Sequence, residues 1–165
     1  MTLTPHSAWI GIGANLGDAR ATVEAAIAEI AALDGCQLVH RSSLYRSEPV
    51  DATGDDFINA VVQVSTVLEP AVLLGRLQHI EQGHGRQRPY RNAPRTLDLD
   101  LLMVDDLQLS GSALTLPHPR MHLRAFVLLP LLEIAPGVSI PGHGKAAQCA
   151  RAVFDQTIEK LGNGI

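Results

Sequence analysis

The chain has 165 residues, 46% of them hydrophobic, and a formal net charge of −4 at pH 7. This length is typical of one domain, so we expect residues 1–165 to form a single, monomeric domain. The negative charge argues against nonspecific nucleic-acid binding, and no apolar run approaches the roughly 20 residues that a membrane-spanning helix needs. Two widely separated cysteines and an N-terminus without a signal-peptide pattern predict a cytoplasmic protein.

The N-terminal part of the chain predicts a strand, a turn and a helix. Residues 9–13 form the strand, and residues 15–18 form the turn. Asp18 is a plausible N-cap for an amphipathic helix over residues 19–33, in which apolar side chains recur at helical spacing. Gly11 and Gly13 do not begin a dinucleotide-binding fingerprint, because the third glycine, Gly17, comes one position late. We interpret these glycines as allowing close approach of something else to the backbone.

The middle of the chain predicts two strands and a second helix. The strands cover residues 37–45 and 57–68, and the helix covers residues 70–82. The connection between the strands is long for a hairpin and rich in Pro, Gly and Asp, which favours a functional loop. Phe57 and Asn59 share one strand face, where a ring and a carboxamide can stack on and hydrogen-bond to a flat heterocycle. The alternative is a buried phenylalanine beside an asparagine that is satisfied within the core.

Residues 85–104 combine clustered cations with two spaced carboxylates. Arg86, Arg88, Arg91 and Arg95 precede a leucine-rich strand that carries Asp98 and Asp100. Side chains alternate along a strand, so the two carboxylates point to one face and the leucines between them point to a core. Paired carboxylates suit Mg²⁺, and arginine binds phosphate through two parallel hydrogen bonds. A solvated strand face beside a surface loop is the alternative interpretation of the same pattern.

The composition of residues 83–94 predicts a mobile lid. Glycines flank the segment, polar or charged residues outnumber apolar ones in places, and it has neither strand nor helix periodicity. We expect the arginines to become ordered when a triphosphate supplies the opposing charge, and closure to exclude water from the site.

The C-terminal part predicts a rigid proline-rich connector followed by helices. His118 lies between two prolines and is well placed to meet a phosphate group. A short helix is predicted over residues 124–133 and a last helix over residues 145–161. The element order βαββαβ with extra C-terminal helices favours an α+β fold, a ferredoxin-like antiparallel sheet with helices on its faces.

Five segments, in this order, carry a resemblance to a known family. They are GANLGD near the start, LYRSEP followed by FINAVV, RNAPRTLDLDLL over residues 91–102, and PHPRMHLRAF. Over about residues 10–136 the chain resembles the 6-hydroxymethyl-7,8-dihydropterin pyrophosphokinases of folate biosynthesis. The resemblance also implies the ferredoxin-like topology. It implies transfer of the terminal diphosphate of ATP to the hydroxymethyl oxygen of 6-hydroxymethyl-7,8-dihydropterin, which leaves AMP, with two Mg²⁺ ions bridging the triphosphate.

The resemblance also implies a role for individual residues. Asp98 and Asp100 would be the metal ligands and, with Arg86, Arg88 and Arg95, the catalytic residues. The ATP-binding residues would be Glu81, Arg86, Arg88, Arg95 and His118. The pterin-binding residues would be Ser47, Glu48 and Val50 through their backbones, with Phe57, Asn59 and Phe126 through their side chains.

Two departures and two alternatives remain. Asn92 stands where many relatives have tryptophan, and Pro119 stands where a tyrosine can follow the proline–histidine pair. Neither change removes a catalytic charge.

The first alternative function is a Mg²⁺-dependent nucleotidyl- or phosphoryltransferase that acts on another hydroxymethyl heterocycle. The second is a noncatalytic ferredoxin-like domain that binds a nucleotide.

Overall fold

The computed structural model describes residues 4–49, 55–84 and 97–162. The strands are β1 (His6–Ala14), β2 (Cys36–Arg41), β3 (Tyr45–Ser47), β4 (Phe57–Thr66), β5 (Asp98–Val104), β6 (Leu109–Ser110), β7 (Thr115–Leu116), β8 (Ser139–Ile140), β9 (Gly144–Lys145) and β10 (Ile158–Lys160). The α-helices are α1 (Ala19–Ala31), α2 (Pro70–Gly83), α3 (Ala125–Ile134) and α4 (Ala146–Arg151), and Met121–Leu123 form a 3-10 helix. Among the described helices none is both long and apolar enough to cross a membrane.

A six-stranded antiparallel sheet organises these elements. Its strand order is β10-β3-β4-β1-β5, and β2 also pairs with β4. β2 pairs with the C-terminal half of β4 and β3 with the N-terminal half, so β2 and β3 act as one interrupted strand. With that strand counted once, the order is that of a βαββαβ ferredoxin-like sheet. The predicted α+β class is therefore confirmed.

The prediction of one continuous strand over residues 37–45 is wrong because the main chain leaves the sheet at Ser42. The Ser42 N–H donates to the carbonyl of Val61 at 2.9 Å. The Val61 N–H in turn donates to the Ser42 hydroxyl oxygen at 3.0 Å. A side chain thus replaces the backbone acceptor that a regular ladder would supply. The backbone can bend here without leaving a buried N–H group unpaired.

Two apolar clusters pack on opposite faces of the sheet. One contains α1 and α2, and the other contains α3 and α4. Leu97, Leu99 and Leu101 belong to the first cluster and are at most 5% exposed. Burying each leucine contributes roughly 1.5–3 kcal/mol to stability. This burial fixes which side of β5 faces the first cluster. Asp98 and Asp100 consequently lie on the opposite face, as predicted.

The sequence predicts the start of α1 correctly but not the last helix. Asp18 caps α1, since its carboxylate accepts the N–H of Ala21 at 3.1 Å. The predicted last helix over residues 145–161 is wrong: α4 ends at Arg151, and β10 pairs with β3 instead. The Leu161 N–H also donates to the carbonyl of Leu44 at 2.9 Å. Backbone bonding to the edge of β3 therefore replaces helix in this segment.

A hydrogen-bonded carboxylate ties α3 to the start of β3. Glu133 accepts the Ser43 N–H at 3.0 Å, the Ser43 hydroxyl at 2.7 Å and the Tyr45 hydroxyl at 2.8 Å. Burial alone would raise the pKa of Glu133, but these bonds and Lys160 outweigh it and hold the pKa below its usual value. Burial, with the Glu133 contact, raises the pKa of Tyr45. These bonds anchor the segment around the start of β3 to α3.

Candidate functional site

Three neighbouring strands place an amide, a glycine and a carboxylate in one row. Gly13 of β1 is paired with Asn59 of β4 on one side and with Asp98 of β5 on the other. Directly opposed residues of an antiparallel pair point to the same face. A Cβ atom added at Gly13 would lie 3.2 Å from Nδ2 of Asn59 and 3.9 Å from a ring carbon of Phe57. The absence of a side chain at Gly13 therefore leaves the sheet surface between Asn59 and Asp98 uncovered. We call this surface the floor at Gly13.

The two carboxylates of β5 are half-buried next to a buried glutamate of α2. The Asp100 side chain is 30% exposed, and Glu81 is only 1% exposed. Glu81 Oε2 accepts the N–H of Leu99, the residue between the two aspartates, at 2.8 Å. The Glu81 carboxylate of α2 thus pairs with a backbone N–H on the outer edge of β5. This bond positions the part of the strand between Asp98 and Asp100.

His118 presents its Nε2 atom to this carboxylate pair. The distance from Nε2 to Asp100 Oδ1 is 3.9 Å, too long for a direct hydrogen bond. Nδ1 accepts the N–H of Arg120 at 3.1 Å, so in the neutral ring the proton sits on Nε2. Burial lowers the pKa of His118, Arg124 and Arg120 act in the same direction, and Asp98 opposes them. The ring is therefore a neutral donor aimed toward the space beside Asp100.

A cavity of about 340 Å³ opens on the outer side of β5. α2, β5, His118 and the hairpin of β6 and β7 form its walls, and Glu81, Asp98 and Asp100 line it. This volume lies in the range of small-ligand sites. The hairpin wall, residues 111–115, was not anticipated from the sequence, because strands of two residues carry no readable periodicity.

A cavity of about 380 Å³ lies at the break between β2 and β3. Three of its four charged side chains are already hydrogen-bonded to other protein groups. Arg41 makes two hydrogen bonds to Glu24, at 2.7 and 3.1 Å, and Glu133 is held by the Ser43 and Tyr45 contacts described above. We therefore place the functional site at the carboxylates of β5 rather than in this slightly larger cavity.

The opposite side of the carboxylates carries the residues predicted to bind a heterocycle. Ser47 and Asn59 are buried and hydrogen-bonded to each other, and Phe57 is half-buried beside Gly13. Phe126, on α3, packs against the apolar cluster of the same sheet face. The Arg124 guanidinium carbon lies 5.4 Å from the centre of its ring, a contact that sequence reasoning missed although Arg124 stands two residues before Phe126.

The remaining predicted residues are either exposed or outside the described part of the chain. Glu48 is exposed, and its N–H faces the carbonyl of Thr157 at 3.5 Å. Val50, Arg86, Arg88, Arg95 and the predicted lid except Gly83 and His84 lie outside the described residues, and Gly83 is the last residue of α2. Of the predicted residues, the structure therefore brings together Glu81, Asp98, Asp100 and His118 around the cavity. It brings Ser47, Phe57 and Asn59 together around Gly13.

The donor set fits a hard cation that a substrate helps to hold. Within residues 4–49, 55–84 and 97–162 no three His, Cys, Asp or Glu side chains form a group that could hold a metal by themselves. Mg²⁺ is commonly bound by one or two carboxylates together with substrate phosphates and water. Asp98 and Asp100, on one strand face, are chemically suited to that arrangement.

Comparison with known proteins points to one family. The family model described as 7,8-dihydro-6-hydroxymethylpterin-pyrophosphokinase matches residues 9–136. A 2-amino-4-hydroxy-6-hydroxymethyldihydropteridine pyrophosphokinase of Synechocystis is 44% identical over 140 residues, covering 85% of this chain and 72% of the relative. The protein of the same name from Haemophilus influenzae is 37% identical over 156 residues, covering 94% of this chain and 98% of the relative.

Solved structures share the fold. An HPPK-DHPS chain in complex with substrates superposes with a TM-score of 0.72 at 13% identity, covering 92% of this chain and 43% of that chain. The wild-type Plasmodium falciparum HPPK-DHPS chain with pteroate gives a TM-score of 0.74 at 12% identity, with 94% and 43% coverage. This chain thus spans less than half of those solved chains, and the likeness supports the fold alone.

Proposed function

This chain belongs to the 7,8-dihydro-6-hydroxymethylpterin-pyrophosphokinase family, and we propose that it catalyses that reaction on the sheet face where β1, β4 and β5 meet. The hydroxymethyl oxygen of 6-hydroxymethyl-7,8-dihydropterin forms a bond to the β-phosphorus of ATP. The bond from that phosphorus to the oxygen bridging the α-phosphate breaks. AMP leaves with that oxygen, and the hydroxyl proton is released.

One observation carries the proposal: Asp98 and Asp100 stand between two different kinds of binding region. The cavity beside α2 lies on the outer side of β5. The open floor at Gly13, with Asn59 beyond it, lies on the inner side. Transfer of a group between two substrates requires both to meet at the reacting atoms. We assign ATP to the cavity and the dihydropterin to the floor at Gly13.

The charges around the two aspartates suit a triphosphate. Asp98 and Asp100 would hold two Mg²⁺ ions, which when bound neutralise the negative charge of the transferring group. His118 donates its Nε2 proton to a phosphate oxygen, and Glu81 supports the nucleotide side by fixing β5. Arg86, Arg88 and Arg95 bind the triphosphate in this proposal, an assignment that rests on the family motif.

The residues on the heterocycle side recognise the shape and the hydrogen-bonding groups of the dihydropterin. Asn59 binds an edge of the dihydropterin, and Phe57 and Phe126 contact its faces. The backbones of Ser47, Glu48 and Val50 offer further hydrogen-bonding groups to the same ring. The buried position of Asn59 makes this edge selective, because a ligand that cannot pair with a buried amide leaves it unsatisfied.

The whole chain acts as one domain in this proposal. β10, near the C-terminal end, pairs with β3 and so belongs to the same sheet as β1. We propose a monomer with it, because a single domain carries all the assigned residues. We also propose a cytoplasmic protein without nucleic-acid or membrane partners, in keeping with its net charge of −4 and its small-molecule substrates.

The direct test is a single assay. The protein is mixed with ATP, Mg²⁺ and 6-hydroxymethyl-7,8-dihydropterin, and we expect one AMP for each diphosphorylated pterin. ADP as the nucleotide product would indicate a phosphoryltransferase instead. Binding of ATP without any turnover would indicate a noncatalytic nucleotide-binding domain.

Asn59→Ala and Phe126→Ala should weaken dihydropterin binding more than ATP binding. For Asn59→Ala, loss of a hydrogen bond to a buried heterocycle costs about 1–3 kcal/mol, because the partner group is left unpaired. Phe126→Ala removes the aromatic contact with the face of the ring. Calorimetry with each ligand separately measures the effect. Phe154→Ala, which truncates a side chain that is 86% exposed, is the matched control for Phe126→Ala and should change neither affinity. Equal weakening of both ligands would instead indicate general destabilisation.

A further inference from the structure

Ser47 and Asn59 form a buried hydrogen-bonded pair under the proposed heterocycle site. Ser47 of β3 is directly opposite Phe57 of β4, which makes Asn59 its diagonal neighbour on the same sheet face. Ser47 is 5% exposed and Asn59 is 4% exposed. The Ser47 Oγ atom lies 2.5 Å from Asn59 Oδ1.

This distance indicates which way the carboxamide is turned. A separation of 2.5 Å is found for O–H···O bonds and is shorter than the roughly 2.7–3.2 Å of N–H···O bonds. The atom facing Ser47 is therefore the amide oxygen, and because that oxygen can only accept, the Ser47 hydroxyl donates. The NH₂ group lies on the other side, over Gly13, where an added Cβ would come within 3.2 Å of Nδ2.

The amide consequently offers a donor, not an acceptor, toward the open floor. Gly13 separates Asn59 from Asp98, so Nδ2 points to the region where the heterocycle meets the carboxylates. Among the hydrogen bonds of the described residues, Asn59 is joined to Ser47 through its oxygen, and Nδ2 donates to none of the other groups there. A ring nitrogen or carbonyl oxygen at the edge of a flat heterocycle would complete its hydrogen bonding.

We propose that Ser47 is a positioning residue that fixes the Asn59 carboxamide with its NH₂ group toward the substrate, so that the site selects a heterocycle with an acceptor at that edge. This rests on the proposed function, because it takes Asn59 as the group that contacts the dihydropterin. The two orientations of a carboxamide have nearly the same shape and differ mainly in their hydrogen bonds. A neighbouring hydroxyl is therefore enough to choose between them.

Removal of the hydroxyl abolishes that choice. In Ser47→Ala the buried end of the carboxamide faces a methyl group in either orientation, so nothing on that side favours the orientation with NH₂ over Gly13. Dihydropterin then binds only the correctly oriented part of the population, and the buried amide oxygen of that part stays without a donor. We expect the KM for dihydropterin to rise severalfold, since the competent orientation is no longer the dominant one.

The kinetic test compares Ser47→Ala, Ser47→Thr and Ser42→Ala with the wild type. Ser47→Ala should raise the dihydropterin KM severalfold, with kcat at saturating dihydropterin within about twofold and the ATP KM unchanged. Ser47→Thr keeps the hydroxyl and should restore the KM. Ser42 is the matched control, because it is equally buried in the same segment but its hydroxyl bonds to the backbone of Ser43 and Val61. Ser42→Ala should lower the melting temperature and leave the dihydropterin KM unchanged.

A double-mutant cycle separates positioning from a general loss of structure. If Ser47 acts through Asn59, Ser47→Ala should add nothing to the dihydropterin KM of Asn59→Ala. The NMR resonances of the Asn59 side-chain NH₂ should shift in Ser47→Ala and stay in place in Ser42→Ala, whatever either variant does to the melting temperature.

The outcomes distinguish this proposal from the one on which it rests. Additive effects in the cycle, or an unchanged dihydropterin KM in Ser47→Ala of an enzyme that forms AMP, would overturn the role of Ser47 alone. A wild-type protein that forms no AMP with dihydropterin would overturn the proposed function, and the role of Ser47 would fall with it.

Discussion

Asp98→Ala and Asp100→Ala should each lose most of the turnover of the enzyme while keeping the fold. Each change removes a carboxylate that we assign to the metal that neutralises the transferring diphosphate. Electrostatic contributions of this kind are worth about 3–4 kcal/mol of transition-state stabilisation, so kcat should fall by roughly 10²–10³. The measurement is kcat with ATP, Mg²⁺ and dihydropterin all saturating.

A carboxylate at the end of the same strand provides the control. Asp106 is exposed in the turn that follows β5, and Asp106→Ala removes the same charge at a distance from the site. We expect its kcat to stay near that of the wild type. A near-wild-type kcat for Asp98→Ala or Asp100→Ala would mean that the metal assignment is wrong.

Loss of turnover should not come from unfolding. The stability of β5 comes from Leu97, Leu99 and Leu101, which are buried on the other face. Asp98 and Asp100 are half-buried on their own face, so alanine at either position leaves these apolar contacts of β5 in place. Thermal melts of both alanine variants should therefore stay within a few degrees of the wild type, the scale of a change of about 1 kcal/mol.

The sequence predicts β5 and its two faces well because the signal is local. Apolar and acidic residues alternate from Leu97 to Leu101, and a strand needs no other information to place them on opposite faces. The Asp18 cap of α1 is local in the same sense. The position of Glu81 beneath Leu99 is a different case, because it depends on how α2 packs along the edge of β5.

Failed predictions share a dependence on distant partners. The strand break at Ser42 requires Val61, nineteen residues away, to exchange hydrogen bonds with its backbone and its hydroxyl. The segment after Arg151 contains no helix breaker, yet it forms a strand because β3 offers an unpaired edge. Neither partner is visible in the local pattern, so periodicity alone favours a longer strand and a longer helix.

The features of the candidate site likewise divide into those set by the local sequence and those set by distant partners. Asp98, Asp100, Asn59 and His118 were found from motifs, and the structure adds the register that puts Gly13 between Asn59 and Asp98. The orientation of the Asn59 amide was not predictable, because it is set by the hydroxyl of a residue on another strand. The roles of Arg86, Arg88 and Arg95 stay predictions from the family motif, since those residues lie outside the described part of the chain.

Glu81→Ala should reduce both stability and turnover, through the backbone of β5. Glu81 is 1% exposed, and its carboxylate accepts the Leu99 N–H at 2.8 Å. Alanine leaves that N–H without its acceptor, at about 1–3 kcal/mol, and opens a space that the surroundings fill only in part. Because Leu99 stands between Asp98 and Asp100, a shift of β5 also moves both carboxylates. We expect kcat to fall at least tenfold, since small displacements of reacting groups greatly reduce the reaction rate.

Two further variants separate loss of the hydrogen bond from loss of the charge. Glu81→Gln keeps an oxygen that can accept the Leu99 N–H, so it should recover most of the stability measured by urea unfolding. Gln82→Ala removes an exposed neighbour on α2 and should match the wild type in both stability and kcat. If Glu81→Ala unfolds at the same urea concentration as the wild type, the bond to Leu99 does not hold β5. If Glu81→Gln is as stable as the wild type but as slow as Glu81→Ala, the charge of Glu81 acts directly on the nucleotide side, and its role is not confined to positioning the strand.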